Sequence, residues 1–202
     1  TPQLSDAAFI REKVPMTKEE IRHVSICKLH LKSDSVLYDV GSGTGSVSIE
    51  CARLSPDIFV FAIEQKEEAA NLTKENAVRL GLSDQILVIN KKAPEGFEEL
   101  PTPTHVFIGG SSGKMKEIIG TLLDLNPSVR IVANAITLET VSEIIECMKE
   151  YGFEDGELLQ IQASPVKQLG SYHMPMAQNP VYIAVMQHPA KDDVEEIEWL
   201  DS

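Results

Sequence analysis

Three glycines separated by single residues, Gly41, Gly43 and Gly45, stand between the apolar run Val36–Val40 and a helical pattern that begins at Ser46. Residues without a Cβ permit a sharp turn and close approach of a ligand to the backbone. The open N–H groups of a helix start favour a negatively charged partner such as a carboxylate. The spacing discriminates between ligands: a dinucleotide loop runs GxGxxG and a phosphate loop GxxxxGK[ST]. Gly41-Ser42-Gly43-Thr44-Gly45 fits neither, and no Lys follows it. Asp39, two residues before the first glycine, would stand uncompensated beside a pyrophosphate. It suits a cationic group instead, directly or through water near an α-amine. Glu64 ends the next apolar run, 19 residues beyond Gly45, where a doubly wound sheet would place its carboxylate to accept both hydroxyls of a ribose. A structural glycine turn and a solvated strand-end acid are the plainer readings of each feature alone. Together they describe an adenosyl ligand that ends in an amino acid.

Such a site needs strands whose carboxyl ends share one edge of a sheet. Val36–Val40, Phe59–Ile63, Ile86–Ile89, His105–Ile108 and Val129–Ala133 read as short buried strands, with helical patterns at Ser46–Leu54, 66–80, Lys114–Leu123 and Leu138–Tyr151. That alternation predicts a parallel sheet covered on both faces. Leu158–Ala163 and Val181–Gln187 are two more strand candidates, and Pro165, Gly170, Pro175 and Pro180 interrupt the chain between them. They are expected to pair antiparallel at the sheet edge. The predicted class is therefore α/β and Rossmann-like, a mainly parallel seven-stranded sheet with an antiparallel edge and helices on both faces. Ahead of it, an irregular arm leads to a helix for which Thr17 is the expected cap, with Glu20 completing a capping box. The expected division is 1–33 as arm and first helix, 34–189 as core and 190–202 as an acidic tail.

Composition narrows the partners. A chain of 202 residues suffices for one domain, and a formal net charge of −13 argues against nucleic acid or an anionic membrane as the main partner. Lys13, Lys18, Lys91, Lys92, Lys114, Lys116 and Lys167 still offer local positive charge. Cys27, Cys51 and Cys147 form no paired motif and read as thiols of a reducing, cytoplasmic compartment. The five histidines show no HExxH or Cys/His cluster, so no metal site is expected. No apolar run reaches membrane-spanning length, and no signal-peptide core opens the chain.

Asp39–Gly45 resembles the glycine motif of class I S-adenosylmethionine-dependent methyltransferases. The resemblance narrows through four ordered segments: Val14-Pro-Met-Thr-Lys-Glu-Glu-Ile-Arg22, Leu37–Ala52, Val106-Phe-Ile-Gly-Gly-Ser-Ser-Gly113 and Asn179-Pro-Val-Tyr-Ile183. They are similar to the decarboxylating precorrin-6 C15-methyltransferases of the cobalamin pathway, some of which form the C-terminal half of a fused C5,15-methyltransferase. The resemblance implies methyl transfer from S-adenosylmethionine to C15 of precorrin-6B or its cobalt form, with loss of carbon dioxide from the C12 acetate. It implies that Thr17 closes over the methionine part of the cofactor, and that Asp39, Gly41, Ser42, Gly43, Thr44 and Gly45 form its loop. Glu64 would hold the ribose, and the backbone of Ala93 would meet the adenine. Lys92 departs from the acid that many relatives carry before this alanine, so adenine N6 would need another partner.

On the substrate side, the small residues Gly109, Gly110, Ser111, Ser112 and Gly113 would admit a large planar tetrapyrrole. Relatives more often have Gly-Gly-Ser-Gly-Gly, so Ser112 is a departure. Asn134, Tyr172 and His173 are candidates for substrate carboxylates or the macrocycle face. No catalytic group and no nucleophilic triad are assigned. The resemblance also implies a homotetramer, with a C5-methyltransferase domain as a fused or associated partner. Another small-molecule class I methyltransferase and a non-catalytic cofactor-binding or interaction module remain the alternatives. A protein or RNA methyltransferase is disfavoured by the absence of an Asn/Asp-Pro-Pro-Tyr type motif after the fourth strand.

Overall fold

A computed structural model describes residues 3–188, so the acidic tail read at 190–202 lies outside the described residues. The apolar runs form β1 (Val36–Val40), β2 (Phe59–Ile63), β3 (Ile86–Ile89), β4 (His105–Ile108), β5 (Arg130–Ala135), β6 (Glu157–Ile161) and β9 (Val181–Met186). Their order in the sheet is β3-β2-β1-β4-β5-β9-β6. The first five are mutually parallel, whereas β9 runs antiparallel to both β5 and β6. The pair of β9 and β6 forms the expected antiparallel edge, with β9 beside β5 and β6 outermost. Successive residues of β1 face opposite layers, as strand geometry requires. Leu37 packs among residues of one layer with Leu29 and Ile49, while Tyr38 packs with Ile118 and Ile144 in the other.

The first layer holds α1 (Glu19–Leu29), α2 (Ser46–Ala52) and α3 (Glu67–Arg79); the second holds α4 (Met115–Leu125) and α5 (Leu138–Glu150). Between β6 and β9 the chain forms a separate hairpin, β7 (Val166–Leu169) and β8 (Tyr172–Pro175). Gly170 opens its two-residue turn at φ +63°, a left-handed conformation suited to glycine.

The arm ahead of α1 is tied down by buried polar groups. Arg22, wholly buried, donates through Nη1 to Asp6 Oδ1 at 3.0 Å and the Thr17 carbonyl at 2.8 Å, and through Nη2 to the Leu4 carbonyl at 2.7 Å. Its guanidinium lies 4.9 Å from the centre of the Phe9 ring. Glu50 accepts from the Leu4 N–H at 2.6 Å and lies 3.8 Å from Arg22 Nε. Further along, Asn76 of α3 accepts from the Ile10 N–H at 2.9 Å and donates back to the Ile10 carbonyl at 2.8 Å. The same amide donates to the Thr44 carbonyl at 2.9 Å, joining arm to glycine loop.

The expected capping box does not form. α1 starts at Glu19 with Lys18 as its N-cap and no side-chain cap, while Thr17 is engaged through its carbonyl by Arg22. Glu19 and Glu20 in the first turn complement the helix dipole instead.

Candidate functional site

The strand order reverses at β1, where β2 and β3 follow on one side and β4 and β5 on the other. A crevice at the carboxyl ends of such strands is the expected ligand position. Here it is a cleft of about 890 Å³. Gly41 and Gly43 line it with φ of +76° and +57°, conformations that residues with a side chain rarely adopt. A Cβ on Gly41 would come within 2.9 Å of the Gly110 nitrogen, so the two glycine turns touch across the floor. A Cβ on Gly43 would stand 3.0 Å from the Pro15 carbonyl, which brings the arm against the same loop. Val14, Pro15, Met16, Thr17 and Lys18 consequently form one wall.

Glu64 lines the cleft while only 8% exposed. Its Oε2 accepts from the Gly43 N–H at 3.0 Å and its Oε1 from the Lys66 N–H at 2.9 Å. A carboxylate offers about four acceptor positions. Two remain for ligand hydroxyls.

Asp39 lies beneath the loop and does not line the cleft. Its Oδ2 accepts from the Ser48 N–H at 3.0 Å and the Ser48 hydroxyl at 2.5 Å, a brace on the first turn of α2, while Oδ1 is buried without a partner. Burial pushes the Asp39 pKa up to about 6, against the lowering effect of the Ser48 bonds. Thr44 and Gly45 also lie below the lining. Thr44 takes part through its carbonyl on Asn76, and a Cβ on Gly45 would collide with Thr73 of α3 at 2.7 Å. Ser42 lines the cleft and pairs with the Thr73 hydroxyl at 3.3 Å. Of the expected cofactor positions, Thr17, Gly41, Ser42, Gly43, Glu64 and Ala93 therefore meet in the cleft, and Asp39, Thr44 and Gly45 shape it from below.

Gly109, Gly110, Ser111, Ser112, Gly113 and Asn134 line the same cleft beside the loop. Beyond the Cβ direction of Gly110 there is open space for 4 Å. Ser112 sits at φ +51° and its hydroxyl accepts from Gln65 Nε2 at 2.7 Å. Asn134 Nδ2 donates to the Ser25 hydroxyl at 3.0 Å, whose own proton goes to the Ile21 carbonyl at 2.8 Å, so this amide fastens α1 to β5.

Tyr172 and His173 are not brought to the site. They belong to β8 of the separate hairpin, whose strand residues are all exposed, and Tyr172 is 74% exposed. The Gly170-Ser171 turn was the sequence signal for this, since two residues of that type between extended runs close a hairpin.

Sequence reasoning also passed over Gln65, Lys66, Ile136, Thr137, Thr140, Gln178 and Val181, all of which line the cleft. Several follow a strand end directly, which is the signal that would have found them. Lys18, Lys66, Lys91 and Lys92 line it as well, against the single carboxylate of Glu64. Lys18 lies 3.7 Å from Asp6 and Lys91 pairs with Glu99 at 3.1 Å, so the positive charge left to the cleft rests on Lys66 and Lys92. Among the described residues no cluster of His, Cys, Asp or Glu is arranged to hold a metal ion.

The family defined by the precorrin methyltransferase domain matches residues 7–188. The chain belongs to that family. It is 40% identical over 185 residues to a protein of Pyrobaculum calidifontis named "Probable cobalt-precorrin-6B C(15)-methyltransferase (decarboxylating)", covering 91% of this chain and 94% of that one. Among solved structures it is similar to a precorrin-6Y C5,15-methyltransferase of Geobacter metallireducens, with a TM-score of 0.85 and 34% identity over 92% of this chain and 97% of that one. It is also similar to a precorrin-8W decarboxylase of Methanobacterium thermoautotrophicum, with a TM-score of 0.84 and 32% identity over 92% of this chain and all of the other, 100%.

The methyl donor of this precorrin methyltransferase is S-adenosylmethionine, and the residues present fit it. The loop glycines leave backbone exposed where side chains would collide, Glu64 retains acceptor capacity, and no lysine is placed in the loop to bind phosphate.

Proposed function

We propose that this chain transfers a methyl group from S-adenosylmethionine to C15 of precorrin-6B or cobalt-precorrin-6B and that the C12 acetate leaves as carbon dioxide. The carrying observation is the contact of Gly41 with Gly110, which makes one cleft of a cofactor end and an open, glycine-lined substrate end. S-adenosylmethionine supplies an electrophilic methyl group on a sulfonium when bound.

The chain's own residues position the reactants. Glu64 accepts the ribose hydroxyls with its remaining lone pairs, Thr17 and its neighbours cover the methionine end, and the Ala93 backbone meets the adenine. Asp39 acts through Ser48 and the helix beneath the loop. The turn Gly109–Gly113 admits the macrocycle so that its electron-rich carbon lies in line with the methyl group. In-line transfer forms a carbon–carbon bond as the methyl–sulfur bond breaks, and most of the rate comes from holding that geometry away from water. The electron pair released with carbon dioxide enters the conjugated macrocycle and is taken up by a proton. Lys66 and Lys92 give the cleft positive charge for a polycarboxylate.

Anaerobic incubation with precorrin-6B or its cobalt form, followed by mass analysis, tests the reading. The expected product has gained one methyl group and lost one carbon dioxide; unchanged tetrapyrrole with bound cofactor would refute it.

Residues 1–33 are read as the arm and helix that close the cofactor end of the core. A homotetramer is proposed as well, supported by exposed Val166, Leu169, Tyr172 and Met174 on the hairpin, and light scattering near four chain masses is the expected result. The free thiols of Cys27, Cys51 and Cys147 support a cytoplasmic setting. No helix among the described residues is long and apolar enough to cross a membrane. A C5-methyltransferase domain is the proposed neighbour, fused or associated; a structure similar to this chain at TM-score 0.82 is the C-terminal domain of a precorrin-6Y C5,15-methyltransferase from Rhodobacter capsulatus.

A further inference from the structure

Ile136 is 62% exposed although it lines the cleft, and apart from Pro15 of the arm the other apolar side chains of the lining are buried or half-buried. Four of the other large exposed apolar residues, Val166, Leu169, Tyr172 and Met174, belong to the hairpin, and none of the rest lines the cleft. Ile136 differs because its setting is fixed on both sides. Ala135 before it is 3% exposed and registers opposite Tyr182 in the sheet. Thr137 after it caps α5, its hydroxyl oxygen accepting from the Thr140 N–H at 3.3 Å and pairing with the Thr140 hydroxyl at 3.0 Å. A stiff β-branched side chain is thus held out at the rim by its neighbours.

This position lies at the substrate end. Ile136 and Thr137 follow β5, Gly109–Gly113 follows the adjacent β4, and Gln178 and Asn179 precede β9 on the other side of β5. An apolar shelf bordered by amides and hydroxyls matches a ligand with a flat hydrophobic face and a polar edge.

We propose that Ile136 is a specificity-determining residue, a shelf on which one face of the tetrapyrrole macrocycle rests while its carboxylate-bearing edge turns toward the polar border. This rests on the function proposed above and deepens it by assigning the contact that orients the ring. Covering Ile136 removes apolar surface from water only when a broad planar ligand is present, so the contact selects a macrocycle over a smaller acceptor.

The test measures binding of precorrin-6B by absorbance in the presence of S-adenosylhomocysteine, for wild type, Ile136→Ser and Ile136→Leu. The serine variant should bind the tetrapyrrole about tenfold more weakly and the leucine variant within about threefold of wild type, from the apolar area removed and retained. Calorimetry should give one S-adenosylhomocysteine affinity for all three, and light scattering one assembly mass. Tetrapyrrole affinity unchanged in Ile136→Ser overturns the shelf. A changed assembly mass in that variant overturns it too, by making the face an interface between copies. If wild type binds the cofactor product but no tetrapyrrole, the functional reading itself fails and the shelf falls with it.

Discussion

Replacing Glu64 by glutamine changes one atom in a carboxylate that is only 8% exposed and already accepts two backbone N–H groups, those of Gly43 and Lys66. The carboxamide has one acceptor oxygen, so at most one of those bonds survives on it. Its NH₂ then faces the other N–H, donor against donor. At the ligand, a ribose hydroxyl loses a charge-assisted partner, a change of roughly 1.5–3 kcal/mol for a hydrogen bond to a charged group. Affinity for S-adenosylhomocysteine should fall about 10- to 150-fold, each factor of ten being about 1.4 kcal/mol. Stability should fall by about 1 kcal/mol for the lost backbone partner, visible as a melting shift of about 2–4 °C in a chain of this size. Titration calorimetry on Glu64→Gln, with Glu64→Asp alongside to keep the charge while shortening the side chain, supplies the measurement. A folded Glu64→Gln protein that binds S-adenosylhomocysteine within about threefold of wild type would show that the ribose does not depend on this carboxylate.

Gly110 faces open space at the substrate end, so Gly110→Leu should keep cofactor affinity while suppressing both methyl gain and carbon dioxide loss; lost cofactor affinity with normal turnover would return the residue to the cofactor scaffold. Arg22→Leu leaves the carbonyls of Leu4 and Thr17 without their buried donor, while Glu50 keeps its ion pair with Arg53 at 3.1 Å, at an expected cost of about 2–4 kcal/mol read from the urea midpoint. An unchanged midpoint would deny the arm its anchor. His105, 7% exposed, has its pKa lowered to about 4 by burial and then by Arg130 and Lys32. The unfolded chain therefore binds more protons between its ordinary 6.5 and about 4, and stability from this group is complete above that window and lost as pH falls through it. Asp39, raised to about 6, works in the opposite sense. His105→Gln should recover about 3 kcal/mol at pH 4 relative to its own difference from wild type at pH 7, and parallel urea curves at both values without that convergence would refute the assignment.

The parts of this structure visible in the sequence are those in which a local pattern and its tertiary use coincide. β1 and β2 are largely buried and so appear as short apolar runs, broken in β1 only by Asp39, and the glycine loop between β1 and α2 carries its backbone requirement in residue type. Glu64 was found because a strand end fixes where a side chain goes. What escaped depended on contacts between distant segments. Arg22 sits beside Ile21 in a weakly amphipathic helix, and nothing local distinguishes a wholly buried arginine from a solvated one. Asn76 likewise reads as an ordinary helix residue until Ile10, 66 positions away, arrives on its amide. Thr17 carried a capping signature that Arg22 overrode by drawing its carbonyl inward. Tyr172 and His173 had suitable chemistry but the wrong address, since a two-residue turn carries them away on the hairpin.

The insertion of β9 between β5 and β6 also sets a schedule for synthesis. β6 is complete at Ile161, yet its sole neighbour among the described residues begins at Val181, 20 residues later. At about 5–20 residues per second, a ribosome takes roughly one to four seconds to supply that neighbour. Through that interval β5 presents an open edge with Ile131, Val132 and Ala133, and β6 has nothing to pair with. An unpaired apolar edge is a template for association with other chains. The last strand among the described residues is therefore the one that joins β6 to the sheet, and a nascent chain stopped before Val181 should be the most aggregation-prone length of this protein.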